Sequence, residues 1–494
     1  MSKYLESLSA SRPKSRLVYE KNGITTEYTP LPEVSQLDIS VKDKDVPLSS
    51  RIYCHISGCN ILKHNGREAF LYDPIEKRYI KLSSKDWSYM IKLHLTPQSR
   101  HHALPKHCEE ALQLLLTDPE AWMPFDTWRT NNPLKIACQN GIVDLEKRTI
   151  EEAGPDSPIS VYFDFEYIPG ACLSEAEAFM FFSRTSLDYS EEDAQSQELT
   201  TLILIIIGYI LSGSRGWRRS FIGIGPSRCG KSVLADFINS VVTDDATSNI
   251  PIDQLGDKFS TAALDGKVLN LIRELPSTKL RKLEVFKSVV SNESVSCQKK
   301  HKDPDKMTPS CKILAFGNVM PELPNSGRDA LDDAFYWRLL FIPFSHSIAE
   351  DDIKPNLLES LKSERNIICS VAIDYFYYGL HLKNYQTPKC LVSEQYMQQY
   401  RKENAVFETF VEEQIIFDKD AKLSMDSLLK HFSSYCQRNC YNNKINASEV
   451  VSYFAYKHSH QTEHARLRFP GNRTLRGFRG IKLRVDDVSS EGVP

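Results

Sequence analysis

The chain of 494 residues has no apolar stretch long enough to cross a membrane. Its longest, "LTTLILIIIGYIL" from Leu199 to Leu211, covers thirteen residues and is interrupted by Gly208 and Tyr209, where a crossing needs about 20. A buried core helix is the expectation. Strong net charge is absent as well, because 61 Lys and Arg against 64 Asp and Glu leave a formal charge of -3. Any contact with nucleic acid must therefore come from local concentrations of basic side chains. No CxxC pair occurs among the twelve cysteines. Cys436 and Cys440, near His431, His458, His460 and His464, read as helix-spaced small apolar residues rather than a zinc site. Residues 1–30 lack the apolar centre of a secretory leader, so reduced thiols and a cytoplasmic location are expected. Neither low-complexity tracts nor solenoid-length repeats are present.

What is there suggests several units, since a chain this long exceeds one hydrophobic core. Residues 1–107 read as an arm, weakly patterned to about residue 45, followed by a small α+β element in which Arg51 to Leu82 form a hairpin. Residues 108–215 read as mostly helical, interrupted by "IACQNGIVDLEKRTI", where Asn140-Gly141 signals a hairpin turn. Between 216 and 350 four strand-length apolar runs, "SFIGIG", "VLNLIREL", "CKILAFGN" and "RLLFIPF", alternate with helical stretches. That alternation predicts an α/β unit with a largely parallel sheet, whose ligand lies at the carboxyl ends of the strands. A helical linker at 351–392 leads to a unit at 393–494 that opens with helices and closes with a basic hairpin. From Ala465 to Arg484 there are seven Lys or Arg and no acid.

The most informative stretch is "FIGIGPSRCGKSVLADF", in which Gly225 to Ser232 read Gly-x-x-x-x-Gly-Lys-Ser between a strand and a helix. Glycines there let backbone N–H groups turn toward phosphates, and the helix N-terminus adds partial positive charge. Gly225, Pro226, Ser227, Arg228, Cys229, Gly230, Lys231, Ser232 and Val233 are the candidate nucleotide contacts. Lys231 reaches the terminal phosphates, and the Ser232 hydroxyl takes a magnesium position. Further on, Glu274 ends a strand, where it either polarises a water and holds the magnesium shell or is an ordinary surface carboxylate. Asn318 ends another, to orient a water or to cap a turn. Arg338 precedes a fourth, as a surface ion-pair partner or as a finger acting on a neighbouring subunit's γ-phosphate.

The succession "GIGPSRCGKS", "LNLIRELP", "FKSVVSNESVSCQKKHKDPDK", "ILAFGNVMPELP" and "DALDDAFYWRLLFIPF" resembles a superfamily 3 helicase. The similarity is to the phage and plasmid primase-helicase branch, related to the poxvirus primase-helicase. It extends upstream through "NGIVDLEKRTI" and "IIIGYILSG", and downstream to "RGFRGIKL", similar to that branch's winged-helix ending. The resemblance implies an AAA+-like ATPase core preceded by a helical region and followed by a winged-helix-like module. It also implies ATP and Mg2+ as cofactors, a homo-oligomeric ring of hexamer type, and 3′-to-5′ movement on single-stranded and forked DNA. Lys231, Glu274, Asn318 and Arg338 take the catalytic positions, with Ser232 and Glu274 toward magnesium. Lys299, Lys300, His301 and Lys302 match the basic hairpin tip that touches DNA, although alone such a tract reads as a solvated loop. Arg473, Arg476 and Arg479, in the C-terminal basic hairpin, are the further expected DNA contacts.

Four departures mark this chain. Cys229 stands where the branch usually has Asn, beside an unusual Arg228. Arg273 precedes Glu274 where a second acid is common. Trp337-Arg338 replaces two arginines, and Ser291-Asn292-Glu293 replaces a Gly-Gly-Asp turn. The residues ahead of the helical region leave little room for a fused primase, so a separately encoded primase or polymerase is expected as partner, and no membrane. An ATP-switched origin-binding initiator is the competing reading. A protein-remodelling ATPase is disfavoured because the candidate pore element "QKKHKD" contains no aromatic.

Overall fold

The computed structural model describes residues 17–21, 24–28, 37–39, 45–57, 61–74, 76–125, 127–276, 283–298, 305–321, 323, 333–382, 388–439, 441, 445–469 and 473–484. Near the N-terminus, β1 (Leu17–Lys21) and β2 (Ile24–Tyr28) pair antiparallel, with Lys21 opposite Ile24. This corrects the expected weakly patterned arm. The sequence between them is Asn22-Gly23, a hairpin signal in its own right.

Residues 51–57 belong to helix α1 (Leu48–Ser57), another correction, because Ile52 and Ile56 are spaced four apart and both are buried. The expected hairpin starts later. Strands β3 (Leu62–His64), β4 (Ala69–Asp73) and β5 (Arg78–Lys81) form one antiparallel sheet. Helix α2 (Ser84–Leu93) starts at a capping box between Ser83 and Asp86. With α3 (Pro105–Leu116) it closes a separate core around Trp87 and Tyr79, whose polar atoms reach the carbonyls of Cys108 and Pro155, both at 2.7 Å. The Arg67–Asp305 ion pair, 3.8 Å, touches this sheet to a hairpin of the next unit.

Strands β6 (Lys135–Cys138), β7 (Gly141–Asp144) and β8 (Thr149–Glu151) form a meander. The expected hairpin is there, but Cys138 lies opposite Gly141, so the turn is Gln139-Asn140, one residue earlier than Asn140-Gly141, and Gly141 opens β7. Helices α4 (Glu177–Ser186) and α5 (Ala194–Leu211) follow. Every residue from Leu202 to Leu211 is buried, so the apolar run is the core helix expected of it. It lies along α9 (Arg365–Leu382), which follows α8 (Leu357–Ser363). Gly208 permits that approach, since a Cβ there would collide with the Ala372 carbonyl and Phe376. Gly208→Ala is expected to cost about 1–3 kcal/mol by overpacking, visible as a melting temperature lowered by several degrees.

The four apolar runs of the α/β unit are β9 (Ser220–Ile224), β11 (Leu269–Ile272), β14 (Lys312–Gly317) and β15 (Leu339–Pro343). All run parallel, together with a two-residue strand β10 (Thr247–Ser248) too short to read from sequence. The order is β10-β11-β14-β9-β15. The protein is therefore mixed α/β with a parallel sheet. β9, β11 and β14 are buried along their whole length, as strands covered on both faces should be. Helix α6 (Lys231–Val242) follows β9 and α7 (Leu283–Val290) follows β11. Before β14 the chain inserts the antiparallel pair β12 (Val295–Cys297) and β13 (Asp305–Met307). At the replaced glycine turn, Asn292 takes φ +65°, left-handed backbone that Asn tolerates.

Helix α10 (Leu391–Asn404) rests on β15, with Tyr396 and Tyr400 against Phe341 at ring-centroid distances of 4.8 and 5.7 Å. The segment expected to open the C-terminal unit thus starts on the parallel sheet. Helices α11 (Val406–Gln414), α12 (Met425–Arg438) and α13 (Ala447–Lys457) then surround a core of Phe407, Phe410, Phe432 and Phe454. Strand β16 (Ile415–Ser424), unforeseen, joins the hairpin of β17 (Glu463–Phe469) and β18 (Arg473–Leu483) in the order β16-β18-β17. Cys436 is buried in that core, whereas Cys440 lies outside the described residues.

Candidate functional site

β9 delivers the chain to the carboxyl edge of the sheet, where Gly225 to Gly230 turn back into α6. Two glycines allow the turn. A Cβ at Gly225 would strike the Phe344 carbonyl, and one at Gly230 would strike Ser186 and Phe182 of α4. Gly230 also has φ +94°, a conformation other residues rarely adopt. Arg228 takes φ +58° on the outer side of the loop.

The segment after β15 straps the loop in place. Phe344 N–H donates to the Ile224 carbonyl at 2.6 Å, Ile348 N–H to the Arg228 carbonyl at 2.9 Å, and the Ser347 hydroxyl to the Ser227 carbonyl at 2.8 Å. Arg228 pairs with Glu350 at 3.0 Å, both exposed, so its charge is shared with a carboxylate of the strap. Lys231 folds inward. Its Nζ donates to the carbonyls of Gly225, at 2.7 Å, and Pro226, and to the Cys229 sulfur at 3.2 Å. Cys229 is buried against the large core, so it anchors the loop from below while its sulfur steadies the lysine.

Residues Ser227 to Val233 of this loop line a pocket of about 580 Å³ together with Arg273, Glu274 and Asn318. Glu274 follows β11 and Asn318 follows β14, both exposed to the pocket. Parallel neighbours bring these strand ends together, so residues separated by dozens of positions share one cavity of the size small-molecule sites have. Arg273 does not add bare positive charge there, because it pairs with Asp236. Sequence reasoning misses Asp236, although it lies one helical turn beyond Ser232.

Arg338 is elsewhere. Its carbonyl accepts from Ser220 N–H at 2.7 Å, which puts it at the amino edge of the sheet. The guanidinium donates to the Ser291 hydroxyl at 2.6 and 2.9 Å, the Lys287 carbonyl at 3.3 Å and the Ala334 carbonyl. Within one chain it does not meet the pocket. Lys299, Lys300, His301 and Lys302 lie outside the described residues, and the strands flanking them pair with Cys297 opposite Asp305.

Arg473, Arg476 and Arg479 are exposed on β18, and Arg479 pairs with Glu463 at 3.6 Å. The register sets Arg476 directly opposite Arg466, and Thr474 opposite Arg468. Like charges directly opposite are unfavourable by themselves. Arg466 and Arg468 thus join Arg476 on one face, which the run of basic residues could not reveal without the pairing.

A profile of DUF5906, a family of unknown function, matches residues 224–332. No curated protein sequence matches the chain. Among solved structures, the chain is similar to the A form apo structure of the NrS-1 C-terminal region, at 12% identity and TM-score 0.44, covering 85% of this chain and 96% of that one. It is likewise similar to the apo structure of NrS-1 residues 305–718, at 11% identity and TM-score 0.44, covering 89% of this chain and all of that one.

Proposed function

We propose that the protein is an ATP-dependent DNA helicase of superfamily 3 type, working in the replication of a virus, plasmid or other mobile element. The observation that carries this is the gathering of Lys231, Ser232, Glu274 and Asn318 around one pocket at the carboxyl edge of a parallel sheet. In this reading the unit is an AAA+-like ATPase core, and the C-terminal helices with their three-stranded sheet serve as a winged-helix-like DNA-binding module. A hexameric ring with a separately supplied primase or polymerase completes the assembly.

The residues present suit ATP. The loop is held tightly against Phe344 and α4 by its two glycines, which leaves its N–H groups to face a phosphate, and Lys231 stands ready to exchange loop carbonyls for phosphate oxygens. Ser232, and Glu274 through water, would hold magnesium, which neutralises charge developing on the phosphates. Glu274 orients the attacking water and receives its proton, while Asn318 fixes that water's direction. The strap at residues 344–350 would hold the loop in one conformation for the nucleotide.

Strand displacement on a forked duplex tests the reading. The expected result is ATP-dependent separation by the full chain, lost in Glu274→Gln. Hydrolysis and DNA binding without separation at any protein concentration would favour the initiator reading, which the exposed arginine face of β17 and β18 also suits. Absence of ATP binding would remove both.

A further inference from the structure

The amino edge of the parallel sheet, opposite the glycine loop, carries a second concentration of charge. Arg215, Arg218, Arg219 and Lys312 line a cavity of about 10 Å³ with Tyr209 and Asn292. Among the described residues no carboxylate lines it.

Part of this charge has a partner. Lys312 is 6% exposed, donates to the Ser212 carbonyl at 2.5 Å, and lies 4.8 Å from the centre of the Tyr209 ring. Arg129 donates to the carbonyls of Leu211 and Ser212 at 3.0 and 2.8 Å. Those carbonyls form the negative end of α5, so the helix terminus accounts for Lys312 and Arg129.

It does not account for the rest. Arg215 Nη2 and Arg219 Nε are buried and bond to nothing among the described residues. Among the described residues Arg219 donates to the Leu339 carbonyl alone, at 3.2 Å, and stacks 4.6 Å over the Trp337 ring. Arg218 stands exposed beside them with φ +49°. Burial pushes Arg219 down to about 10 and lowers Arg215, while Lys312 is driven well below the ordinary lysine value by burial and then by Arg129 and Arg215. Native proteins rarely leave buried guanidinium donors unmatched. Cations converging on one hole without an acid are the complement of an anion.

We propose that this cavity is an anion site that takes an oxygen of a phosphate group, with Arg215 and Arg219 donating and the exposed Arg218 supplying further positive field. The volume admits about one water-sized atom, so a single phosphate oxygen enters and the remainder of the ligand stays outside near Arg218. Asn292, on the rim, donates to the Arg215 carbonyl at 3.0 Å and lies three positions ahead of β12. The site is therefore at the root of the β12–β13 hairpin. The phosphate can come from a nucleic-acid backbone or from a free or nucleotide phosphate, and the first source rests on the DNA reading above.

Thermal melting of the full chain in inorganic phosphate, against chloride at matched ionic strength, tests the site. Phosphate at about 100 times its dissociation constant is expected to raise the wild-type melting temperature by a few degrees, and Arg215→Gln and the exposed Arg218→Gln to abolish the shift. A labelled dT20 oligonucleotide, titrated at several salt concentrations, identifies the source. Backbone binding gives about tenfold weaker affinity in both variants and a salt slope smaller by about 0.7 per lost contact. A phosphate shift lost with dT20 binding unchanged keeps the site and assigns it to free or nucleotide phosphate. If wild type fails to bind dT20, the DNA reading falls while the phosphate result still decides the site. A phosphate shift absent from wild type, or equal in wild type and both variants because the glycine loop alone supplies it, with dT20 affinity and slope unaltered in both variants, would overturn the proposal.

Discussion

Lys231→Ala is expected to lower ATP hydrolysis at least about 10²-fold, the range found when one preorganised donor to developing charge is removed, while the melting temperature falls by only a degree or two. The two effects separate because Lys231 has two sets of partners. In the protein alone its ammonium satisfies the carbonyls of Gly225 and Pro226. Losing these bonds costs the net worth of ordinary hydrogen bonds, about 1 kcal/mol. With ATP bound no water replaces a fixed cation beside the phosphates. Steady-state phosphate release, with a melt of the same sample, measures both. Wild-type hydrolysis by the variant would remove the nucleotide site from Lys231 altogether.

Arg338→Ala should reduce hydrolysis about 10³-fold or more if the guanidinium serves as a finger, and an equal mixture with Lys231→Ala should recover part of the rate. The geometry dictates the second half of this expectation. Arg338 sits beside Ser220, the first residue of β9, whereas the loop leaves after Ile224, the last. Four strand steps, roughly 13 Å, separate the two, so the same chain cannot use both at one site. In a head-to-tail ring, about a quarter of randomly mixed interfaces combine an intact Lys231 with an intact Arg338. The alternative is an internal role, since the guanidinium ties α7 and Ser291, at the hairpin root, to the helical turn before β15. That role predicts a lowered melting temperature and no recovery on mixing.

Much of this arrangement is legible in the amino-acid order. Four apolar runs of strand length and the apolar run at Leu199–Leu211 announce their elements, because burial on one face, two faces or all round leaves a local pattern. The hairpin near Asn140 is announced too, though its turn falls one residue earlier than the Asn-Gly pair suggests. Residues that follow strand ends can be nominated for the same reason, and Lys231, Ser232, Glu274 and Asn318 do share one pocket. Elements with weak local signals escape such a reading. Thr247–Ser248 is two residues long, and the α1 segment shows its helical period through only Ile52 and Ile56.

Local spacing is enough to identify the residues that can cradle a phosphate, since glycine and lysine at that spacing act through backbone freedom and charge within one turn. How distant charges meet depends on tertiary packing. It puts Arg338 on the edge opposite the pocket, pairs Arg273 with Asp236, sets Arg466 against Arg476, and gathers Arg215, Arg218, Arg219 and Lys312 around one cavity at the end of α5. Strand order and register are set by packing between segments far apart in the chain, and no local spacing encodes them.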